Sequence, residues 1–358
     1  LLSSATKRPA QKGPVRIGII GAGGFANTHM QFFSQMNDAE IVAFSRRDKA
    51  ALDEMQKKWG VKKGFTDYHD LLNMDGLDAV DIVTPTDSHH RITLDAIKAG
   101  KHVLCDKPLA MTAAQCRDML TAAEKAGVVH CTNFNQRGRS PVGRIKRYID
   151  DGFIGRIYHC NISWMMTLQY DFRPAVLSWR FRPESGGGTV YELIHVFDMA
   201  RFLCGDVRRM LAHHNTAEKR RKFADMPDGM DIHVPDSTAF ILEFQSGAYG
   251  VLHTSFVTRG QDPDGQTTAR IEVTGELGRI MNSGRYGIAG FSSTLGQPNG
   301  PVRELDPGAP YPQPYEQFVS AILTGEPVKT SFYDGLKAAE LVDAAYESAS
   351  KSKWVDLK

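Results

Sequence analysis

Val15-Arg-Ile-Gly-Ile-Ile20 runs directly into Gly21-Ala-Gly-Gly-Phe-Ala26. An apolar run followed by G-x-G-x-x-A encodes a strand, a tight turn and the start of a helix, the arrangement that holds a dinucleotide pyrophosphate. Gly21 permits the turn, Gly23 lets backbone approach the phosphates, and Ala26 is small enough for close helix–strand packing. Gly24 and Phe25 belong to the same loop, and the helix start offers N–H groups and a positive dipole end to an anion. A second apolar run, Ala39-Glu-Ile-Val-Ala-Phe44, follows at the distance a βαβ unit requires. It ends in Ser45-Arg46-Arg47, with no acid before Asp48. An acid here would bind the adenosine ribose 2′-hydroxyl, whereas an arginine pairs with a 2′-phosphate, so the sequence favours NADP over NAD.

The alternation continues to about residue 134. Helical patterns over Lys49–Trp59, Tyr68–Asn73, Ser88–Ala99 and Thr112–Ala126 alternate with strand patterns at Ala79–Val83, His102–Cys105 and Val128–Cys131. Gly100 and Gly127 stand where helices stop. Repeated β-α-β predicts a doubly wound parallel sheet, an α/β Rossmann domain over 14–134. After residue 135 a helix (Pro141–Asp150) leads into strand patterns at Gly155–Ser163, Ser237–Phe244, Ala248–Val257, Arg270–Val273 and Gly278–Met281. Consecutive strands without helices between them predict an α+β second domain with a large, mostly antiparallel sheet over 135–358. Gly284–Pro314 reads as an irregular loop, and Tyr315–Thr324 and Asp334–Ser350 as closing helices. Residues 1–13 are polar and without periodicity and read as a flexible leader.

A chain of 358 residues with 42% hydrophobic and 23% charged residues is long enough for two cored domains. A net charge of +2 gives no reason to invoke nucleic acid or an acidic membrane surface, and no apolar run is long enough to span a bilayer. The five cysteines (105, 116, 131, 160, 204) form no C-x-x-C and no framework, which suggests a reducing, cytoplasmic setting.

In open α/β sheets, ligands bind beyond the carboxyl ends of the strands. Thr84-Pro85-Thr86, with His89 close behind, follows one such strand, and Cys105-Asp106-Lys107-Pro108 follows the next. Pro108 biases Lys107 toward extended backbone, and a lysine there can stabilise developing alkoxide charge. A second constellation is Gly186-Gly-Gly-Thr-Val-Tyr-Glu192-Leu-Ile-His195. Val190, Leu193, Ile194, Phe197 and Arg201 recur at helical spacing, and Glu192 and His195, three apart, are expected on one helix face off that stripe. An imidazole is the natural proton acceptor when an alcohol is oxidised; the alternative is a structural histidine satisfied by Glu192 or Asp198. The remaining histidines lack metal-ligand spacing, and no catalytic metal is expected.

Together GIIGAGGFANTH, TPTDSHHRITLDAIKAGKHVLCDKPLA, SWRFRPESGGGTVYELIHVFDMARFLCG and the Asp334–Val355 tail resemble the Gfo/Idh/MocA oxidoreductases. The family's usual E-K-P is here Asp106-Lys107-Pro108. The resemblance implies an open-faced second-domain sheet that makes homo-oligomer (dimer or tetramer) contacts, with Lys107 and His195 as the catalytic pair. Glu192 matches a frequent family aspartate, with the spacing to His195 one residue shorter. Trp179-Arg180 resembles a motif that approaches the cofactor, and Asn135, within Asn133–Gln136, lies where the nicotinamide end is lined. A sugar or cyclitol carbinol is then expected over the nicotinamide, its proton passing to His195 while Lys107 holds the oxygen. Two alternatives within the resemblance are redox-neutral glycoside cleavage with tightly held NAD and a non-catalytic dinucleotide-binding regulator.

Overall fold

The structure, a computed structural model, describes residues 13–21, 23–139, 141–166, 178–223, 225–258, 269–283, 287–292, 303–306 and 310–357. It divides into two compact units: the chain up to Phe134 with Pro312–Ala339, and Asn135–Tyr311 with Glu340–Lys358. The segment 312–339, read from sequence as part of the second domain, belongs to the first unit.

In the first unit β1 (Val15–Ile20), β2 (Ala39–Ser45), β3 (Lys63–Phe65), β4 (Ala79–Ile82), β5 (His102–Cys105) and β6 (His130–Thr132) form one parallel sheet in the order β3-β2-β1-β4-β5-β6. The helices α1 (Ala26–Phe33), α2 (Lys49–Trp59), α3 (Tyr68–Leu72), α4 (Thr86–Lys98) and α5 (Ala113–Ala126) connect them. The strand order reverses between β1 and β4, which makes the crevice beyond their carboxyl ends the binding position of this topology. Both sheet faces are covered, one by Ile92, Ala96, Met119 and Leu120 and the other by Met30, Phe33, Leu52 and Phe318. The helix ends follow local chemistry. Asp48 caps α2 by accepting from Ala51 N–H at 3.1 Å, and Thr112 caps α5 by accepting from Gln115 N–H at 3.2 Å. Gly127 ends α5 in the left-handed region, which a Cβ disfavours. α4 begins at Thr86, two residues before the sequence reading, because the residues after Pro85 already follow helical geometry. β6 starts two residues later and ends one residue later than expected, and the short edge strand β3 carries no alternation from which it could be read.

The second unit is built around a nine-stranded sheet. It comprises α6 (Val142–Asp150), β7 (Ile157–Met165), α7 (Thr189–Glu192), α8 (His195–Cys204), β8 (Val207–Asn215), the pair β9 (Arg220–Phe223) and β10 (Met226–Asp231), then β11 (Ser237–Phe244), β12 (Tyr249–Ser255), β13 (Arg270–Gly275), β14 (Gly278–Ser283), β15 (Gly287–Ser292) and β16 (Arg303–Glu304). After α9 (Pro314–Thr324), α10 (Phe332–Lys351) leads into β17 (Val355–Asp356). The order is β16-β15-β14-β13-β7-β12-β11-β8-β17, antiparallel throughout except for β7–β12. The strands β8, β9, β10 and β17 were not legible in sequence, since charged residues interrupt their alternation. Gly284–Pro314, read as irregular, holds β15 and β16; the leader 1–12 and 167–177 lie outside the described residues.

His130 stands half-buried at the margin of the first unit's core, its ring 5.0 Å from that of Phe332. Its Nδ1 accepts from the Phe332 N–H at 3.1 Å. Burial pushes its pKa down from 6.5 to about 4, against a smaller upward pull from Asp334. The unfolded chain therefore takes up this proton first. The neutral imidazole's contribution is intact above pH ~6.5 and is lost as pH falls toward ~4, by on the order of 3 kcal/mol. Thermal melts should show this acid sensitivity, and His130→Asn, which retains an acceptor but does not titrate, should flatten it between about pH 7 and about pH 4.5.

Candidate active site

The glycine turn is shaped by contact with the neighbouring strand. Gly21 has φ +94°, and a Cβ there would lie 2.6 Å from both the Val83 carbonyl oxygen and Thr84 Cγ2. Its N–H donates to the Ser45 carbonyl at 2.9 Å, so the ends of β1, β2 and β4 are drawn together at one residue. Gly23 and Gly24 differ. A Cβ on Gly23 would find only the Gly21 carbonyl at 3.8 Å, and one on Gly24 nothing within 4 Å. Their missing side chains leave open space rather than satisfying internal packing, which fits a pyrophosphate lying against backbone. Ala26, the first residue of α1, is fully buried, while Phe25 before it stays 46% exposed, and no described side chain caps the helix.

Thr84, Pro85 and Thr86 line the turn after β4. Thr84 Oγ1 accepts from Ser88 Oγ at 2.7 Å, and Pro85 is exposed. His89 is turned inward: it is buried, with Nε2 2.8 Å from the Thr84 carbonyl and Nδ1 2.9 Å from the Pro108 carbonyl. It therefore ties the two loops together from behind. Asp106 follows β5, its N–H on the Ile82 carbonyl at 2.9 Å and its carboxylate accepting from Asn133 Nδ2 at 3.0 Å. Lys107 is half-buried at the same edge, and the Lys107–Pro108 bond is cis. Ser45 is buried, Arg46 half-buried with its N–H on the Phe65 carbonyl, and Arg47 exposed.

In the second unit the stretch read as one continuous helix is two. α7 ends at Glu192 and α8 begins at His195, with Leu193 at φ −100°, ψ 26° between them. Glu192 and His195 thus sit on either side of a break. His195 is buried rather than off the apolar stripe, its ring centroid 5.7 Å from that of Trp164. The two carboxylates considered as its structural partners are both held by arginines. Arg180 Nη1 donates to Glu192 Oε2, and Arg137 forms a bidentate pair with Asp198 through Nε (2.9 Å to Oδ2) and Nη2 (2.5 Å to Oδ1). The glycine triplet has separate causes: a Cβ on Gly187 would lie 2.6 Å from the Arg180 carbonyl, and Gly186 and Gly188 take φ +71° and +90°. Trp179 lies in the 3-10 turn Ser178–Phe181, and its side chain is outside the described residues. Asn135, in the turn after β6, is buried, and its Oδ1 has no hydrogen-bond partner among the described residues.

Sequence reasoning gave no role to His29, Asp81 and Tyr315, which form a buried polar group in the first unit with Asn133, a residue read only as part of the Asn133–Gln136 segment. The available signal was Asp81, a lone acid within an otherwise apolar strand that is buried on both faces. No cluster of three or more His, Cys, Asp or Glu suited to a metal occurs among the described residues, and no described helix is long and apolar enough to cross a membrane.

A doubly wound sheet with a glycine turn and an open phosphate cradle at its switch point defines a dinucleotide-binding oxidoreductase unit. The chain belongs to the Gfo/Idh/MocA oxidoreductase family. Residues 15–134 match that family's NAD-binding Rossmann fold, and 146–357 match its C-terminal alpha/beta domain. It is 30% identical to myo-inositol 2-dehydrogenase of Thermotoga maritima over 96% of this chain and 99% of that protein. It is 28% identical to levoglucosan dehydrogenase of Pseudarthrobacter phenanthrenivorans over 96% of this chain and 98% of that protein. A solved structure of levoglucosan dehydrogenase in complex with NADH superposes with a TM-score of 0.87 at 25% identity, covering 96% of this chain and 99% of that one.

The glycines separate packing from binding. Gly21→Ala should cost on the order of 1–3 kcal/mol of stability, since both φ and contact forbid it. Gly23→Ala should leave the melting temperature unchanged and weaken dinucleotide binding by about tenfold or more, read by fluorescence titration.

Proposed function

We propose that this chain transfers hydride between a nicotinamide dinucleotide and a carbinol carbon of a sugar, sugar derivative or cyclitol. The observation that carries the reading is the placement of Lys107 directly after β5, on the same sheet edge as the glycine turn and its open cradle. Gly21, Gly23, Gly24, Phe25 and Ala26 hold the pyrophosphate, Thr84, Pro85, Thr86 and Asp106 line the path beyond it, and His89 fixes those loops. The family resemblance adds Asn135 and Trp179-Arg180 to the cofactor-binding set. When bound, the nicotinamide supplies the hydride acceptor. His195 takes the hydroxyl proton, Lys107 donates a hydrogen bond to the substrate oxygen and stabilises alkoxide character, and Glu192, held by Arg180, orients His195 or binds a second hydroxyl. In the reverse direction His195 returns the proton to the carbonyl oxygen. The relatives' names as dehydrogenases of a cyclitol and a sugar support net redox chemistry over redox-neutral cleavage or a regulatory role.

The dinucleotide we infer is NADP(H). Support comes from Arg46 and Arg47 at the end of β2 and the absence of an acid before Asp48; the levoglucosan dehydrogenase complex named above holds NADH. A homo-oligomer through the outer face of the nine-stranded sheet is supported by Ile241, Tyr249 and Val251, which are 41–47% exposed, Ile241 and Val251 being cross-strand partners. Sedimentation velocity reads that state. A cytoplasmic setting is supported by five buried cysteines.

Screening sugars and cyclitols for NAD(P)H formation tests the activity. His195→Ala and Lys107→Ala should each lower kcat by about 10²-fold or more while cofactor affinity stays within about twofold. Equal loss of both would point to misfolding, and unchanged turnover would remove that residue from the mechanism. NADPH should bind about tenfold more tightly than NADH. The reverse preference would overturn the role given to Arg46 and Arg47.

A further inference from the structure

Beneath the Asp106-Lys107-Pro108 turn lies a chain of buried polar side chains that hydride transfer leaves unused. Asp81 stands in β4 among Ala79, Val80 and Ile82, all fully buried. His29 on α1 places Nδ1 2.8 Å from Asp81 Oδ2, with neither side chain exposed. His29 Nε2 lies 3.1 Å from Asn133 Nδ2 and 3.9 Å from Asp106 Oδ1. Asn133 Nδ2 also lies 3.0 Å from Asp106 Oδ1 and 2.9 Å from the Tyr315 hydroxyl. An amide nitrogen has two hydrogens, and this one faces three groups. It can therefore serve Asp106 and only one of the other two at a time.

Such a cluster is a costly way to pack a helix on a sheet. Buried charges and amides stabilise a fold only when fully paired, and apolar side chains of similar volume do as well or better. Here Asp81 Oδ1 and Asn133 Oδ1 are buried without a partner among the described residues. Burial opposes a charge on His29, but Asp81 and Asp106 outweigh it and its pKa is raised. The titratable groups facing His29 are Asp81 from β4, Asp106 after β5 and the Tyr315 hydroxyl from α9, while Phe25 stacks edge-on from the glycine loop. Among the described residues Asn133 alone hydrogen-bonds the Asp106 carboxylate, at 3.0 Å, with His29 Nε2 3.9 Å away, and the chain neighbour of that carboxylate is Lys107. On the other side of Lys107, His89 approaches the Pro108 carbonyl at 2.9 Å.

We propose that His29, acting with Asp81, Asn133 and Tyr315, is a positioning residue that fixes the Asp106 carboxylate from within the fold and so sets the turn that presents Lys107. The inference rests on the reading of Lys107 as the group that holds the substrate oxygen. The network touches no substrate; it restrains the backbone on the lysine's N-terminal side as His89 does on the other.

Two measurements on the full chain test this. The first needs no substrate: hydrogen–deuterium exchange in His29→Asn and Tyr315→Phe. Exchange should accelerate about tenfold in the peptide spanning Asp106 to Leu109 and stay unchanged in α2 and α5. No local change, or acceleration throughout the unit in both variants, overturns the proposal. Tyr315→Phe deletes a single oxygen, so it carries the test if His29→Asn folds poorly. The second is a double-mutant cycle under single-turnover conditions, using the sugar identified by the screen above. His29→Asn should lower kcat about tenfold with KM and cofactor affinity unchanged, and should have no further effect in a Lys107→Ala background. Additive losses mean His29 does not act through Lys107. Normal turnover by Lys107→Ala with altered exchange in His29→Asn would instead refute the catalytic reading of Lys107 and leave the positioning contact standing.

Discussion

The close approach of Gly21 to the end of β4 sets the geometry of the first unit. With a Cβ excluded by the Val83 carbonyl and Thr84 at 2.6 Å, β1 and β4 converge as closely as backbone allows where the strand order reverses. α1 then leaves from the turn, with the Asn27 and Thr28 N–H groups on the Gly24 and Phe25 carbonyls, and Thr84 is pressed against Gly21. A larger residue at Gly21 would have to push the loop off β4 and open the crevice that the topology creates. Gly23 and Gly24 differ, since among the described residues nothing comes closer than 3.8 Å to a Cβ built there. Similar glycines in one motif thus differ in whether internal packing requires them.

Polar interior groups gather close to that crevice. The apolar faces of the sheet provide the favourable area term, roughly 25 cal/mol for each Å² removed from water. His29, Asp81 and Asn133 draw on that surplus, because their desolvation is only partly repaid by their mutual contacts. A fold built for stability alone would place aliphatic residues there. Their concentration under Asp106, in a sheet otherwise packed with Val, Ile, Leu and Phe, marks where geometry takes precedence over burial.

The sequence was most legible where a local rule dictates the outcome. The parallel core declared itself through apolar runs and glycine stops, and His102–Cys105 and Ser237–Phe244 have the limits read from their residues. It was least legible where tertiary contacts override local pattern. β8 and β9 carry Arg or His at half-buried positions (Arg209, His214, Arg221) as well as exposed ones, so alternation fades. The break between α7 and α8 has no proline or glycine to announce it, and a stripe of Val190, Leu193, Ile194 and Phe197 reads as one helix. Asp81 could have been caught as an acid in a doubly buried strand, but its partner His29 is identified only by the packing of α1.

The break between α7 and α8 also explains how acids near His195 are kept in place. A continuous helix would fix Glu192 and His195 on one face by backbone geometry alone. The interruption frees Glu192 alone from that constraint, since Asp198 shares α8 with His195, yet both carboxylates are held by an arginine, whose planar guanidinium sets direction as well as charge. Arg180 holds Glu192 at the end of α7. Arg137 holds Asp198, one turn into α8, through two nearly parallel hydrogen bonds, with the ion pair almost completely buried. Arg137 is two residues from Asn135, so this pair ties the turn carrying Asn135 to the helix that begins with His195. Disrupting it would leave one uncompensated buried charge and release both segments together. The same buried pair that costs desolvation energy is therefore what keeps the second unit's two candidate site segments in register.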